Sequence, residues 1–563
     1  MKILQLLFIP FLLFATKYEI RLSGNKSFDS KTIYTELGFE QKIWDKIFFK
    51  KFKPKVDEKL LKTLQEEIKL FYKQEGFWKT DVKLKKDDKQ KVATYLIKEN
   101  KPIIIKDIEI TSNFPIKRFI KLKKDQRFNI KEFKNSKEFI KKALLKKGYC
   151  SYDFNPKAYI FLKKNIAYLV YYLEKGDICK IKSINVNGLK TISKRVVLDH
   201  IYLKPKENFS LERVKASYQR LYSLEYFNSV IIDYSKKINN QILADINLKE
   251  REKIHIYRAG VGYESSNGPH INFLYKNLNF YQNQLTFNSL YSKNIKSISF
   301  KLFTPSKKIL KKDFDIVNEI AYKKEIFDSF DTKESHIGTS LLTQSYDKSY
   351  KYSIFWDNIK IFNNEDRDKN GYFNIVYPQF DFILDKRDSK IFPKNGYYFK
   401  NSIETSLKSI STASYIKDLS EIGFYKTFKL VTLFLRGRVG VIDDFQGNLP
   451  SSKLFFAGGL HSNRAYSFHK IFAADSKTKN GGKTLLETTI ENSFPLYEKL
   501  RGAIFWDRTV LSKKKLSLDV KAINGVGFGF RYPTIIGNFI IDFGFDVANF
   551  SQNAIHFSIG TTF

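Results

Sequence analysis

A-I-H-F-S-I-G-T-T-F, residues 554–563, closes the chain. In an extended strand, Ile555, Phe557, Ile559, Thr561 and Phe563 fall on one face, and His556, Ser558, Gly560 and Thr562 on the other. One face suits lipid and the other a polar lumen, and the final aromatic is of the kind that sits at a membrane interface. At the edge of a soluble sheet, the same strand would present a long apolar face and invite aggregation. The stretch reads as a strand of a transmembrane β-barrel, with Phe557, Ile559 and Phe563 as its C-terminal signal.

Working upstream, the same pattern holds back to about Ile254. Segments such as Gln284–Leu290, Ser297–Phe303, Tyr397–Ile403, Leu430–Val439 and Phe539–Phe545 are separated by Asn/Asp/Ser/Gly/Lys clusters. About 310 residues, at roughly 20 per strand and turn, predict about 16 antiparallel strands, an even number as bacterial barrels have. The first would lie near His255–Tyr263. Phe (52) and Tyr (33) are abundant, yet no internal stretch approaches the roughly 20 apolar residues of a membrane helix. Composition alone leaves a large soluble β protein open.

The first 250 residues differ. Met1–Ala15 has one Lys and then an apolar run, too short to span a bilayer, and reads as a secretory signal. A threefold repeat follows. Each copy opens with an alternating strand and a turn: Tyr18–Gly24, Lys106–Asn113 and Lys182–Gly188. Gly24, Asn113 and Gly188 hold equivalent places and are expected at positive φ. Amphipathic helices come next, near Val56–Gln74, Ile130–Lys147 and Leu211–Leu224. The first carries a stripe of Leu60, Leu64, Ile68 and Tyr72. Corners at Gly76-Phe77, Gly148-Tyr149 and Tyr226-Phe227 lead into two more strands. A β-helix-helix-β-β unit of about 75 residues is a plausible small α+β domain.

The formal charge is +39, with roughly +25 of it before residue 251. A Lys-biased composition explains it, and so does attraction to phosphates; a secretory signal argues against nucleic acid. Two exported cysteines, Cys150 and Cys179, either pair or stay free. They flank the junction of the second and third copies, where a bridge would stiffen the hinge. Seven His and no Cys/His cluster give no expectation of a metal or cofactor.

One stretch fits neither strand nor helix: F-F-A-G-G-L-H-S-N-R-A-Y-S-F, Phe455–Phe468. Gly458-Gly459 permits a sharp turn. Arg464 has no acid within nine residues on either side, so its guanidinium needs a carboxylate from elsewhere in the fold. Ser462 beside His461 lacks the orienting third group of a nucleophile–base pair, and no enzyme motif emerges.

The repeats resemble the POTRA domain, the periplasmic module of outer-membrane assembly factors. The third is closest: K-S-I-N-V-N-G-L-K-T-I (182–192), then L-E-R-V-K-A-S-Y-Q-R-L-Y-S-L-E-Y-F-N-S-V (211–230). With G-G-x-x-S-x-R-x-Y at Gly458–Tyr466, three such units before a barrel resemble the TamA-type members of the BamA superfamily. Leu384–Phe399 looks like the family's mid-barrel segment. Glu491–Leu496, Phe505–Asp507, Gly525–Tyr532 and Ile541–Gly544 resemble the strands after the loop. Ala465 and Thr509 stand where the family has glycine. Asp385, Arg387 and Asp388 suit either a lumen network or a solvated turn.

The resemblance implies a signal peptide (1–16), three POTRA domains (17–100, 101–176, 177–251) and an outer-membrane barrel (252–563). It implies a loop folded into the lumen, with Gly458, Gly459, Ser462, Arg464 and Tyr466 as its motif. Arg464 would meet Asp507 on the inner wall, with Glu491 as second candidate, in a partly hydrated pair. It implies a non-enzymatic role in inserting unfolded outer-membrane proteins, autotransporter-type clients among them, through a seam between first and last strands. Outer-membrane lipid, lipopolysaccharide and a TamB-like inner-membrane protein are the implied partners. A BamA-type general factor, a two-partner secretion transporter and a passive porin are the alternatives.

Overall fold

Where the sequence alternates, the chain is extended, and where apolar residues recur every three or four, it is helical. The computed structural model describes residues 17–39, 52–264, 268–310, 312–365, 369–390, 392–497, 499–534 and 537–560. The expected signal peptide, Phe563 and the side chain of Ile559 lie outside the described residues. The chain forms two compact units. One takes the described residues up to Ile184 with Leu203–Val214 and Tyr234–Ala244; the other takes Asn185–Tyr202, Lys215–Asp233 and Asp245 onward.

The first unit opens with β1 (Lys17–Ser23), α1 (Ser30–Glu36), β2 (Lys55–Asp57), α2 (Leu61–Gln74), β3 (Asp81–Asp87) and β4 (Val92–Lys98). The sheet order is β2-β1-β4-β3, with β1 parallel to β4. Leu64, Ile68 and Tyr72 of α2 are buried against it, as the stripe predicts. Leu60 is a correction: it is 49 % exposed in a 3-10 turn before the helix, and Leu61 takes the core position. The second segment has β5 (Ile104–Ser112), α3 (Ile130–Lys146), β6 (Asp153–Phe161) and β7 (Ile166–Glu174), in sheet order β5-β7-β6. Asn129 caps α3 by accepting the Glu132 N–H at 2.9 Å. Glu75 at the end of α2 binds Arg127 (3.0 Å) and Asn129 (2.8 Å), tying the two segments. Cys150 and Cys179 are buried and joined in a disulfide, with Cα atoms 5.8 Å apart.

The third segment contributes β8 (Lys180–Asn187), α4 (Lys194–Asp199), α5 (Leu211–Ser223), β9 (Phe227–Asp233), β10 (Lys237–Ile238) and β11 (Gln241–Glu250). In the second unit β9 runs antiparallel to β11 from Asp233↔Asp245 to Phe227↔Glu250. Repeat equivalence shows in the opening turns. Gly24 (φ +87°) and Gly188 (φ +84°) each lie against a strand carbonyl, Ile97 O and Leu248 O, where a Cβ would come within 2.2 and 2.0 Å. Asn113 departs from expectation and is not at positive φ. Its carboxamide instead accepts the Lys175 N–H at 2.9 Å, so the turn is held by a side chain. The helix-end corners at Gly76 (φ +92°) and Gly148 (φ +89°) become Glu225 in the third copy, a non-glycine at φ +59°.

The rest of the second unit is one sheet of sixteen strands among the described residues. They are β12 (His255–Glu264), β13 (Gly268–Phe280), β14 (Asn283–Ser292), β15 (Ile295–Ile309), β16 (Lys312–Ile326) and β17 (Asp331–Gln344). Then come β18 (Lys348–Phe362), β19 (Gly371–Asp385), β20 (Gly396–Ser406), β21 (Ala413–Phe428) and β22 (Val431–Gly447). The last five are β23 (Thr484–Tyr497), β24 (Leu500–Ser512), β25 (Ile523–Thr534), β26 (Gly537–Asp546) and β27 (Asn553–Gly560). Each pairs antiparallel with the next, and β12 and β27 are the two ends of the order. Register puts apolar residues opposite one another on the outer face, as in Phe287↔Phe300↔Ile320. The opposite parity is largely polar, with buried apolar clusters such as Phe355, Ile359, Phe373 and Ile375 on β18 and β19. This is the barrel the terminal alternation predicts, with an α+β N-terminal region.

Candidate functional site

The long connection from β22 to β23 turns inward at Gly458 (φ +96°) and Gly459 (φ +107°), positions open to glycine. Its tip is tied to itself. Gly459 N–H donates to Tyr466 O (2.9 Å), and Ser462 Oγ accepts the Gly458 N–H (2.8 Å). Ser462 Oγ also donates to Glu487 of β23, which leaves it a structural hydroxyl. Arg436 of β22 donates to the carbonyl of His461 at 2.6 Å and to Thr489 Oγ1 at 3.0 Å.

Arg464 is then fixed on every side. Its Nε and Nη2 form a bidentate pair with Asp507 of β24 at 2.8 and 3.0 Å, and its backbone N–H reaches the same carboxylate at 3.1 Å. Nη1 meets Glu491 of β23 at 2.5 Å and Asp542 of β26 at 3.4 Å. The guanidinium lies 3.4 Å from the Phe505 ring centroid. Arg531 of β25 binds Glu491 (3.1 Å) and Asp542 (3.0 Å) from the other side. Two guanidiniums thus face three carboxylates. Arg464 is 4 % exposed and Asp507 1 %, which corrects the expectation of a partly hydrated pair: loop and wall close over the charges.

The tip also reaches the last strands. Tyr466 OH donates to Asp546 of β26, and Asn463 Nδ2 to Ile523 O of β25 at 3.2 Å. His556 Nε2 lies 3.0 Å from Arg464 O, a contact it can make only as donor. A Cβ at Gly544 would come within 2.0 Å of Arg464 O, so glycine there lets the loop touch the wall. Ala465 is fully buried and fits. Thr509 fits less well: it is 1 % exposed, and among the described residues its hydroxyl has no hydrogen-bond partner.

Sequence reading placed Arg464, Asp507 and Glu491 together and missed Asn463, Arg531, Asp542 and His556. Strand parity was the available signal, since Arg531, Asp542 and His556 all fall on the polar face of their strands. Phe557 packs against Phe539 on the outer face, ring centroids 5.1 Å apart. Asp385 and Arg387 form a bidentate pair (2.9 and 2.7 Å) in the β19–β20 turn, and Asp388 accepts the Lys394 N–H there. The turn is thus a largely buried one, with the Arg387 guanidinium 4.7 Å from the ring centroid of Tyr398, whose hydroxyl donates to Glu421 at 2.8 Å.

Lys453, earlier in the same loop, donates to Asp357 of β18 at 2.9 Å and lies 4.0 Å from the Tyr377 ring centroid. Glu334, His336 and Asp357 are spaced to hold a metal ion, but the Lys453 ammonium already neutralises that carboxylate. At the opposite barrel end, Glu225 pairs with Arg258 of β12 and with Lys276 of β13 at 2.5 Å, and Gln284 of β14 donates to Leu224 O at 2.6 Å.

Residues 207–563 match the model of the Omp85 superfamily domain. The chain belongs to the Omp85 superfamily.

Among Omp85 relatives, it is 22 % identical over 424 residues to the outer membrane protein assembly factor BamA of Nitratidesulfovibrio vulgaris, covering 71 % of this chain and 52 % of that one. The chain therefore spans about half the length of the curated relative it matches. The crystal structure of BamA from Haemophilus ducreyi lacking POTRA domains 1–3 is similar with a TM-score of 0.53 at 16 % identity, covering 82 % of this chain and 100 % of that one. CdiB from Acinetobacter baumannii gives a TM-score of 0.45 at 12 % identity over 81 % and 89 %. As an Omp85 protein, this is a barrel of the bacterial outer membrane with POTRA-like α+β units in the periplasm. Counting strands from β12, the β22–β23 connection is the sixth extracellular loop.

Proposed function

We propose that the protein inserts and assembles outer-membrane proteins, as a TamA-type module with autotransporter-type clients, by opening sideways between β12 and β27. The observation that carries this is the sheet order: β12 and β27 end the ladder, and no pairing joins them among the described residues. Unpaired edges accept an incoming strand by β-augmentation. The same seam would thin the adjoining bilayer through hydrophobic mismatch and so ease insertion. POTRA strand edges would hold extended clients by the same pairing, and a TamB-like inner-membrane protein would dock on the first POTRA-like unit. No catalysis is part of this role.

The test locks the seam. In a Cys150→Ser/Cys179→Ser background, cysteines are placed at Tyr257 or Ala259 and at Ile555 or Phe557. Oxidation is expected to abolish client assembly in vivo, and reduction to restore it. Full assembly by the oxidised protein sinks the lateral-seam reading. Similarity to a named BamA favours a second reading, a general barrel assembly factor. Co-purification separates the two: periplasmic lipoproteins support the BamA type, and an inner-membrane TamB-like protein supports the TamA type.

A further inference from the structure

Four lysines stand in one cross-strand row on the outer face of the barrel. Register sets Lys296 of β15 opposite Lys324 of β16, Lys324 opposite Lys333 of β17, and Lys333 opposite Lys360 of β18. Each lies within three residues of its strand's extracellular end. Ile298, Tyr322, Ile337 and Trp356, of the same parity, are all exposed, which fixes this face as the lipid side. Tyr291 and Tyr372 close the row, opposite Lys296 and Lys360. Their ring centroids lie 4.6 and 4.9 Å from the neighbouring ammoniums.

Like charges directly opposed across an antiparallel pair are destabilising. Here three such oppositions follow one another, and among the described residues no carboxylate pairs with any of the four lysines; Lys301 and Lys323, of the opposite parity, do have acidic partners. Asp331 shares the outer face two residues along β17, where it accepts the Asn363 carboxamide at 2.9 Å. Lysine-rich composition alone would scatter such residues. Arg508, also on the outer face, faces Thr488 and Asn524 across its two ladders.

On β17 and β18 the rows below the lysines are ordered by polarity. Ser335, Asn358 and, on β19, Asn374 come next, with Asn358 donating to Asn374 at 2.6 Å, while Ile298 and Tyr322 hold the same row on β15 and β16. Ile320, Ile337, Trp356 and Val376 follow. Cations, then hydrogen-bonding groups, then an apolar surface match the depth profile of an outer-leaflet glycolipid: phosphates, amide and ester linkages, acyl chains. Three strand spacings of about 4.8 Å spread the ammoniums over roughly 14 Å, the scale of one headgroup with two phosphates.

We propose that the outer face of β15–β18 is a binding site for the phosphates of a lipopolysaccharide-type glycolipid. It supplies the counter-charge that the lysine row lacks, and it anchors this wall in the outer leaflet. The site depends on the barrel's place in the outer membrane and not on which clients it handles, so its test fails or succeeds independently of the seam lock.

The full chain in detergent is offered lipid A with both phosphates or after their removal, and retained lipid is read by native mass spectrometry. Wild type is expected to retain the phosphorylated form at least about tenfold better, since basic residues near an anionic lipid headgroup attract its phosphates. Lys296→Gln/Lys324→Gln/Lys333→Gln/Lys360→Gln should lose that preference. Lys83→Gln/Lys85→Gln/Lys157→Gln/Lys163→Gln, with the same charge loss on exposed periplasmic positions, should keep it. Equal retention of the two lipids by wild type overturns the proposal and needs no variant to fold. So does an equal loss in both quadruple variants whose heat-modifiable migration shows a folded barrel.

Discussion

Arg464 shares two of its three carboxylates with Arg531, so the pocket holds two cations and three anions in near-complete burial. Charges closed off in this way are costly to unpair, because the partners left behind keep their desolvation cost. Arg464→Ala is therefore expected to lower barrel stability by about 3–5 kcal/mol and to release the loop to protease. Arg464→Lys should fall between, since a single ammonium cannot reproduce the bidentate contact with Asp507. Thermal unfolding followed by gel migration, with limited proteolysis of the loop, reads both. The buried hydroxyl of Thr509 points the other way. Thr509→Val keeps the shape and removes an unsatisfied polar atom, and should raise stability by about 1 kcal/mol in the same assay. A fall would mean that the hydroxyl has a partner in solution.

Glu250, the last residue of β11, shows how an element is closed from a distance. Its carboxylate accepts the N–H groups of Lys190, Thr191 and Ile192 at 2.7, 3.0 and 3.0 Å, just after β8. Burial raises its pKa, but the N–H groups of Ile192, Lys190 and Thr191 outweigh it and leave the carboxyl below its ordinary 4.5. A depressed carboxyl stabilises fully above the unfolded value and loses that contribution as pH falls through the folded value. Hydrogen exchange at residues 190–192, corrected for intrinsic rate, should show protection near neutrality that fades below about pH 4.5. Glu250→Gln should be weakly protected at both pH values; an unchanged acid response in the variant would assign the loss to another group. Glu99 plays the same part in the first segment, accepting from Ser27 at 2.9 Å. Such closures join residues 58–72 apart, which is why strands and helices were legible in the sequence and this bond was not. Periodicity is local and reports a face. It found most of the α2 stripe and the alternation of the wall, whose strand number came from length, but a partner across a sheet leaves no local trace. Arg464 was legible as a charge in need of a partner because its own neighbourhood held none. The pairing of Cys150 with Cys179 stayed open because spacing does not give distance.

Across the whole barrel, the two ends of the sheet are held by different parts of the chain. The β12 side is tied by the Glu225 corner, through Arg258, Lys276 and the neighbouring Leu224 carbonyl. Glu225 keeps a left-handed backbone that costs a non-glycine residue something, as residues with a specific task often do. The β27 side is tied by the sixth loop, through Glu491, Asp507, Asp542, Asp546 and the His556 contact to Arg464 O. Among the described residues the two braces share no residue and no hydrogen-bond partner. If the seam opens by independent give at each edge, Glu225→Ala and Arg464→Ala should each lower the yield of a β12–β27 cysteine cross-link, and their free-energy effects should add within about 0.5 kcal/mol. The cross-link yields of wild type, both single variants and the double variant, in the Cys150→Ser/Cys179→Ser background, give the coupling directly. A coupling well above that figure would mean that strain at one edge passes through the wall to the other. The sixteen strands would then open as a single spring, and removing either brace would largely pre-empt the effect of removing the second.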